Sequence, residues 1–112
     1  MKKVEAIIKP FKLSEVKDAL HEIDLSGMTV SEVKGFGRQR GQDGIVKDEN
    51  YDDEFLAKTK IEIIIEDEDL EKTLQAIKNA AYSGKIGDGK IFVTNIEKVI
   101  RIRTGEKDSD AV

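Results

Sequence analysis

The densest anion-binding chemistry in the chain lies in Ser83-Gly84-Lys85-Ile86-Gly87-Asp88-Gly89-Lys90. Glycines leave backbone N–H groups open to a bound anion, and Lys85 and Lys90 add positive charge, so phosphate is the natural guest. Gly84 to Lys90 fits the G-x-x-x-x-G-K spacing. However, Ile91 stands where a Ser or Thr would hold magnesium, and a strand pattern follows where a phosphate loop would open a helix. An ordinary glycine turn between helix and strand explains the same spacing. Arg101-Ile102-Arg103 is a second candidate. On a strand these two arginines point to one side and can clamp phosphate oxygens, although surface arginines are more often solvated or paired with acids. Lys34-Gly35-Phe36-Gly37-Arg38-Gln39-Arg40-Gly41 has the glycine–aromatic look of an RNA-recognition strand, but the first strand offers no further stacking aromatics. It reads better as a strand fraying into a glycine hinge, with Arg38 and Gln39 able to reach an anion.

Other chemistries find less support. Asp43, Asp48, Glu49, Asp52, Asp53 and Glu54 gather around Lys47 and could face a hard cation, but they lack the spacing of a calcium loop. A run of like charge is more often a solvated segment. The single His21 and the absence of cysteine exclude a multi-histidine or thiolate metal centre and a disulfide framework. No residue set marks a catalytic centre.

These segments must be positioned by 112 residues, the usual size of one domain. A net charge of -4 gives no overall electrostatic reason to expect nucleic acid or an anionic membrane surface as partner. Charges interrupt every short apolar run, so neither a signal peptide nor a membrane span is expected. A soluble chain suited to a reducing cytosol is the expectation.

Val4, Ala6 and Ile8 alternate with Glu5, Ile7 and Lys9, predicting a strand over residues 3 to 9 that Pro10 stops. Leu13, Val16, Leu20 and Ile23 then recur at helical spacing, with Ser14 placed to cap the helix. Asp24, Ser26 and Gly27 turn the chain into a strand from Met28 to about Phe36. Residues 37 to 56 show no periodicity, and so long a loop inside a small domain points to function. A third strand is expected over Lys58 to Glu66. A helix follows, with acids at its start and Leu70, Leu74, Ile77 and Ala81 as its buried stripe, and then a fourth strand around Ile91-Phe92-Val93. Val99 to Arg103 reads as a short extra strand, and Gly105 to Val112 as a mobile tail. The order βαββαβ predicts an α+β, ferredoxin-like fold: an antiparallel sheet with both helices on one face. Apolar residues alternating onto the helix-free face predict self-association.

Four segments, in order and spanning essentially the whole chain, resemble the PII signal-transduction family. They are Met1 to Leu13, Gly27 to Gln39, Ser83 to Ile96 and Arg101 to Glu106. The third fits the family signature of a small hydroxyl residue, any three residues, then Gly-Asp-Gly-Lys-Ile-Phe-Val. The resemblance implies one domain over residues 1–112, with a T-loop at about 37–56, a nucleotide-binding B-loop at about 82–90 and a C-terminal segment at about 101–112. It implies a cytoplasmic homotrimer that binds ATP or ADP in the clefts between subunits and, with magnesium-ATP, 2-oxoglutarate. Gly87, Asp88, Gly89 and Lys90 would cradle the phosphates, joined by Arg101 and Arg103 of the neighbouring chain, while Thr29, Gly35, Phe36, Gly37 and Arg38 line the rest. Gln39, Gly41, Lys58 and Gly87 would meet 2-oxoglutarate, with Gln39 also on the magnesium ion. An ammonium transporter or a nitrogen-metabolism enzyme is the implied partner, so a membrane would be reached only through a transporter.

The T-loop departs from the family pattern. Uridylylated members carry Tyr-Arg/Lys-Gly-Ala/Ser-Glu-Tyr where this chain reads Val46-Lys47-Asp48-Glu49-Asn50-Tyr51. Tyr51 keeps the acceptor position, Glu49 replaces a serine that is phosphorylated in some relatives, and Lys47 replaces the arginine that enters a channel pore. Two rival readings are a small phosphate-ester or acyl-phosphate hydrolase and an RNA-binding module. The first would need an arginine cradle, and Lys9-Pro10-Phe11-Lys12 supplies none.

Overall fold

The structure, a computed structural model, describes residues 1–36, 45–47 and 54–112. Strand β1 (Lys2–Ile8) places Val4, Ala6 and Ile8 inward, as its alternation predicts. A 3-10 turn over Pro10–Lys12 leads into helix α1 (Leu13–Glu22). Proline suits such a start, because its missing N–H has no partner there anyway. Ser14 is therefore not the cap: it lies inside the helix, and no side chain caps the first turn. Asp24, in the left-handed conformation at φ 64°, ends α1. Strand β2 (Thr29–Gly35) follows.

Strand β4 (Glu54–Ile65) is twelve residues long and starts four residues before the expected Lys58. Its early part pairs with a short strand, β3 (Ile45–Lys47), that lies inside the segment expected to be irregular. Three residues cannot display a period, so only the pairing reveals the strand. Acids at Asp67–Asp69 form a 3-10 turn ahead of helix α2 (Leu70–Ala81), and β5 (Lys90–Asn95) completes the sheet.

The sheet order is β2-β4-β1-β5 with every neighbour antiparallel, and β3 pairs with β4. Each β-α-β unit straddles a strand of the other, which is the ferredoxin-like α+β arrangement. Val16, Leu20 and Ile77 of the helices meet Ile61, Ile63 and Ile65 of β4 over the β1 residues to form the core. Leu70 and Leu74 are only partly buried, and Thr73, fully buried, joins Ile77 and Ala81 on the inner face of α2. Its hydroxyl donates to the Asp69 carbonyl at 2.7 Å, so the hydrogen bond satisfies a group whose polarity hid it from an apolar pattern.

Two further expectations change. Arg101-Ile102-Arg103 is not extended: the Arg101 amide donates to the Glu106 carbonyl and the Gly105 amide to the Arg101 carbonyl, each at 2.8 Å, closing a turn. Gly105, at φ 73°, supplies the left-handed position this turn requires. The tail then folds back, with Ile100 bridging Lys107 and the Asp108 amide donating to the Val99 carbonyl at 2.8 Å. The helix-free face is also less apolar than expected. Lys3 pairs with Glu62 at 2.9 Å, and Lys60 with Glu5 and Glu62 at 3.5 Å each, with half-buried Ile7 and Ile64 among them. The Lys3–Glu62 hydrogen bond raises the pKa of the lysine and lowers that of the glutamate.

Candidate functional site

The register Ile8↔Thr59 places Lys9 and Lys58, one step further along, side by side where β1 and β4 leave the sheet. Both are buried, at 6% and 9% exposure, unusual for lysine without partners. Their partners lie in the Ser83–Lys90 loop. The Lys58 ammonium donates to the Gly87 carbonyl at 2.5 Å. Lys9 pairs with the Asp88 carboxylate at 3.3 Å and donates to the Ser83 hydroxyl at 3.2 Å.

Asp88 organises the loop from within. Its Oδ2 accepts the Ser83 amide at 2.8 Å and the Gly84 amide at 2.9 Å, and its Oδ1 accepts the Ser83 hydroxyl. Burial opposes ionisation of this carboxyl, but the Ser83, Gly84 and Lys9 donors outweigh it and hold its pKa far below the usual range. Burial likewise pushes the Lys58 pKa down, the adjacent Lys9 charge adds to that, and Asp88 partly offsets both.

Glycine is required at three points of this loop, because Gly84, Gly87 and Gly89 have φ of 81°, 94° and 102°. A Cβ on Gly89 would also sit 1.7 Å from the Ile7 carbonyl oxygen, so the loop lies directly on β1. The turn predicted from composition is thus closed by its own hydrogen bonds, with backbone groups and two lysines at one end of the sheet. A cleft of about 330 Å³ opens beside it, floored by Ile8 and Ile77 and edged by Tyr82 and Lys90.

Gly35 belongs to the same end: a Cβ there would stand 3.4 Å from the Lys58 side chain, and Phe36 next to it faces the Phe55 ring at 6.0 Å. Thr29 does not. It pairs with Glu62 at the far end of β2, six residues and roughly 20 Å from Gly35. Arg101 is engaged within its own arm, 3.8 Å from Glu106 and 3.4 Å from the Ala111 carbonyl. Among the described residues, no hydrogen bond or ion pair joins Arg101 or Arg103 to the glycine loop. Gly37, Arg38, Gln39, Gly41, Asp48, Glu49, Asn50 and Tyr51 lie outside the described residues, and Lys47 is placed only as a backbone position in β3. A second cavity, about 360 Å³ between α1 and the start of β2, is lined by His21, Leu25 and Met28 and includes no expected site residue. Among the described residues there is no cluster of metal-ligating side chains.

Lys9 was not singled out by its sequence. Its one signal is indirect: an aspartate inside a glycine loop needs a cation to hold it, and which lysine does so is decided by strand register.

This framework carries a recognisable sequence. The family model for nitrogen regulatory protein P-II matches residues 1–106. The chain belongs to the P-II family. Nitrogen regulatory proteins P-II of Rhodospirillum rubrum, Azospirillum brasilense and Pasteurella multocida are 60%, 58% and 53% identical to it over 112 residues, covering all of each chain. The P-II signature from Ser83 to Ile96 therefore maps onto the clamped loop and onto β5 behind it. Family membership places the chain among nitrogen regulatory proteins, not among the hydrolases or RNA binders that share the fold. Among the described residues, no helix is long and apolar enough to cross a membrane.

Proposed function

We propose that this P-II chain reads nitrogen, carbon and energy status by binding ATP or ADP and, with magnesium-ATP, 2-oxoglutarate, and that it reports by binding other proteins. The observation that carries this reading is the Ser83–Lys90 loop, closed on the Asp88 carboxylate and joined to Lys58 through the Gly87 carbonyl. Gly87 to Lys90 would hold the phosphates, with Asp88 contributing its backbone because its carboxylate is already taken. Gly35, Phe36, Gly37 and Arg38 would continue the site at the same end of the sheet. Thr29 stands at the far end of β2 from this group, and Arg101 is turned toward Glu106 and the Ala111 carbonyl of its own arm. A homotrimer, in which a neighbouring copy brings Thr29, Arg101 and Arg103 to the cleft, accounts for this arrangement.

Lys58 would pair with a 2-oxoglutarate carboxylate, near Gly87, Gly41 and Gln39. The magnesium ion would rest on Gln39, ATP and the keto acid, since Asp88 has no oxygen to spare. The metal would then bridge two anions that otherwise repel. ATP with 2-oxoglutarate favours one arrangement of the 37–56 segment and ADP another, and a partner binds only some of them. Lys47 to Tyr51 would form the partner-binding surface and Tyr51 the modification site, with a cytoplasmic face of an ammonium transporter or a nitrogen-metabolism enzyme as partner. No catalytic role is assigned beyond slow incidental ATP hydrolysis.

Calorimetric titration tests the scheme. ATP and ADP should each bind, and 2-oxoglutarate should bind only with ATP and magnesium present. Equal 2-oxoglutarate binding without nucleotide, or no binding of either nucleotide, overturns it.

A further inference from the structure

Phosphate loops commonly present their free amides to the ligand, yet here the Ser83 and Gly84 amides are already occupied by the loop's own Asp88 carboxylate. The first half of the glycine run is thus closed on an internal anion before any external one can bind. The charge of that anion is matched from outside the loop by Lys9, buried and anchored at the end of β1. Lys9 touches both the hydroxyl and the carboxylate that shape the turn. Gly89 lies against Ile7 two residues before Lys9, so the same short stretch of β1 fixes both ends of the loop.

We propose that Lys9 and Asp88 form a latch that holds Gly87 to Lys90 in an anion-accepting shape, both side chains acting on nucleotide only through the loop backbone. They are positioning residues, and this assignment rests on the nucleotide-binding reading above. The internal anion satisfies the Ser83 and Gly84 donors and leaves the Gly87–Lys90 half to receive phosphate. Without Lys9, the Asp88 carboxylate would be a poorly compensated charge and would turn toward water, releasing the Ser83 and Gly84 amides.

The latch differs in sign from direct contact. Were Asp88 to face the phosphates, removing its charge would strengthen ATP binding. A latch predicts that Asp88→Asn and Lys9→Met each weaken ATP by about tenfold, as expected for loss of a charge-assisted hydrogen bond. The double variant should be no weaker than either single one, because both break one device. Lys9→Arg, which keeps the charge, should recover part of the affinity.

Calorimetry on the full chain and these four variants, with magnesium absent and present, reads these effects. Tighter or unchanged binding by Asp88→Asn, additive losses in the double variant, or a loss seen only with magnesium overturns the latch. If the unmutated chain binds neither ATP nor ADP, the nucleotide reading itself fails and the latch with it. If it binds and the variants match it, the latch alone fails. Amide hydrogen exchange on the unmutated chain supplies a measurement independent of how the variants fold. The Ser83 and Gly84 amides must be protected without ligand, and fast exchange at both overturns the proposal.

Discussion

At Gly89 the loop passes so close to β1 that a single added carbon meets the Ile7 carbonyl at 1.7 Å, in a backbone region where side chains are already strained. Gly89→Ala must therefore lift the loop off the strand, and about 1–3 kcal/mol of strain is the expected scale. ATP affinity measured by calorimetry should fall, while the circular dichroism of the sheet and helices is retained. Asp88 makes a second prediction at this scale. Its carboxyl sits below the ordinary 3.8 in the folded chain, so its stabilising contribution is present above that value and is lost as pH falls toward the lower folded value. The stability difference between the unmutated chain and Asp88→Asn in urea titrations should stay level above about pH 5 and shrink progressively below about pH 4. A difference that grows on acidification would contradict the assignment.

The elements owe their positions to apolar alternation and to a few polar groups buried with partners. Ile77 is fully buried where α2 meets β4 and β1, and Ile77→Ala should lower unfolding free energy by about 2–5 kcal/mol, measured by urea denaturation. Strand and helix periods were readable for β1, α1, β4 and α2 because each repeats over at least two turns or several alternations. Shorter elements were not. Ile45–Lys47 becomes a strand only because β4 offers an edge, and Val99–Arg103, extended by composition, turns because Gly105 lets the tail return to Ile100. Ser14 shows a different limit: a good capping residue lies inside the helix when Pro10 starts the turn four residues earlier.

On the scale of the whole molecule, the helix-free face joins Lys3, Glu5, Lys60 and Glu62 in one network around Ile7 and Ile64, with Phe92 half-exposed beside Glu5. A face of this composition suits contact between copies through matched charge as well as apolar area. Lys60→Glu would set three carboxylates together there, and for the proposed homotrimer sedimentation equilibrium should show a shift toward monomer, more strongly at low salt. The order of the principal elements, the two-layer α+β fold, the buried alternation of β1 and β4, and the glycine-rich turn between α2 and β5 all follow from the sequence alone. Residue types and periods carry them, and both act between neighbours along the chain. Only the tertiary structure decided that Lys9 and Lys58 meet at that loop, that Asp88 turns inward to hold it, and that Thr29 stands at the opposite end of its strand from Gly35. Those facts depend on strand register and on which residues distant in sequence share one end of the sheet, and no local spacing encodes either.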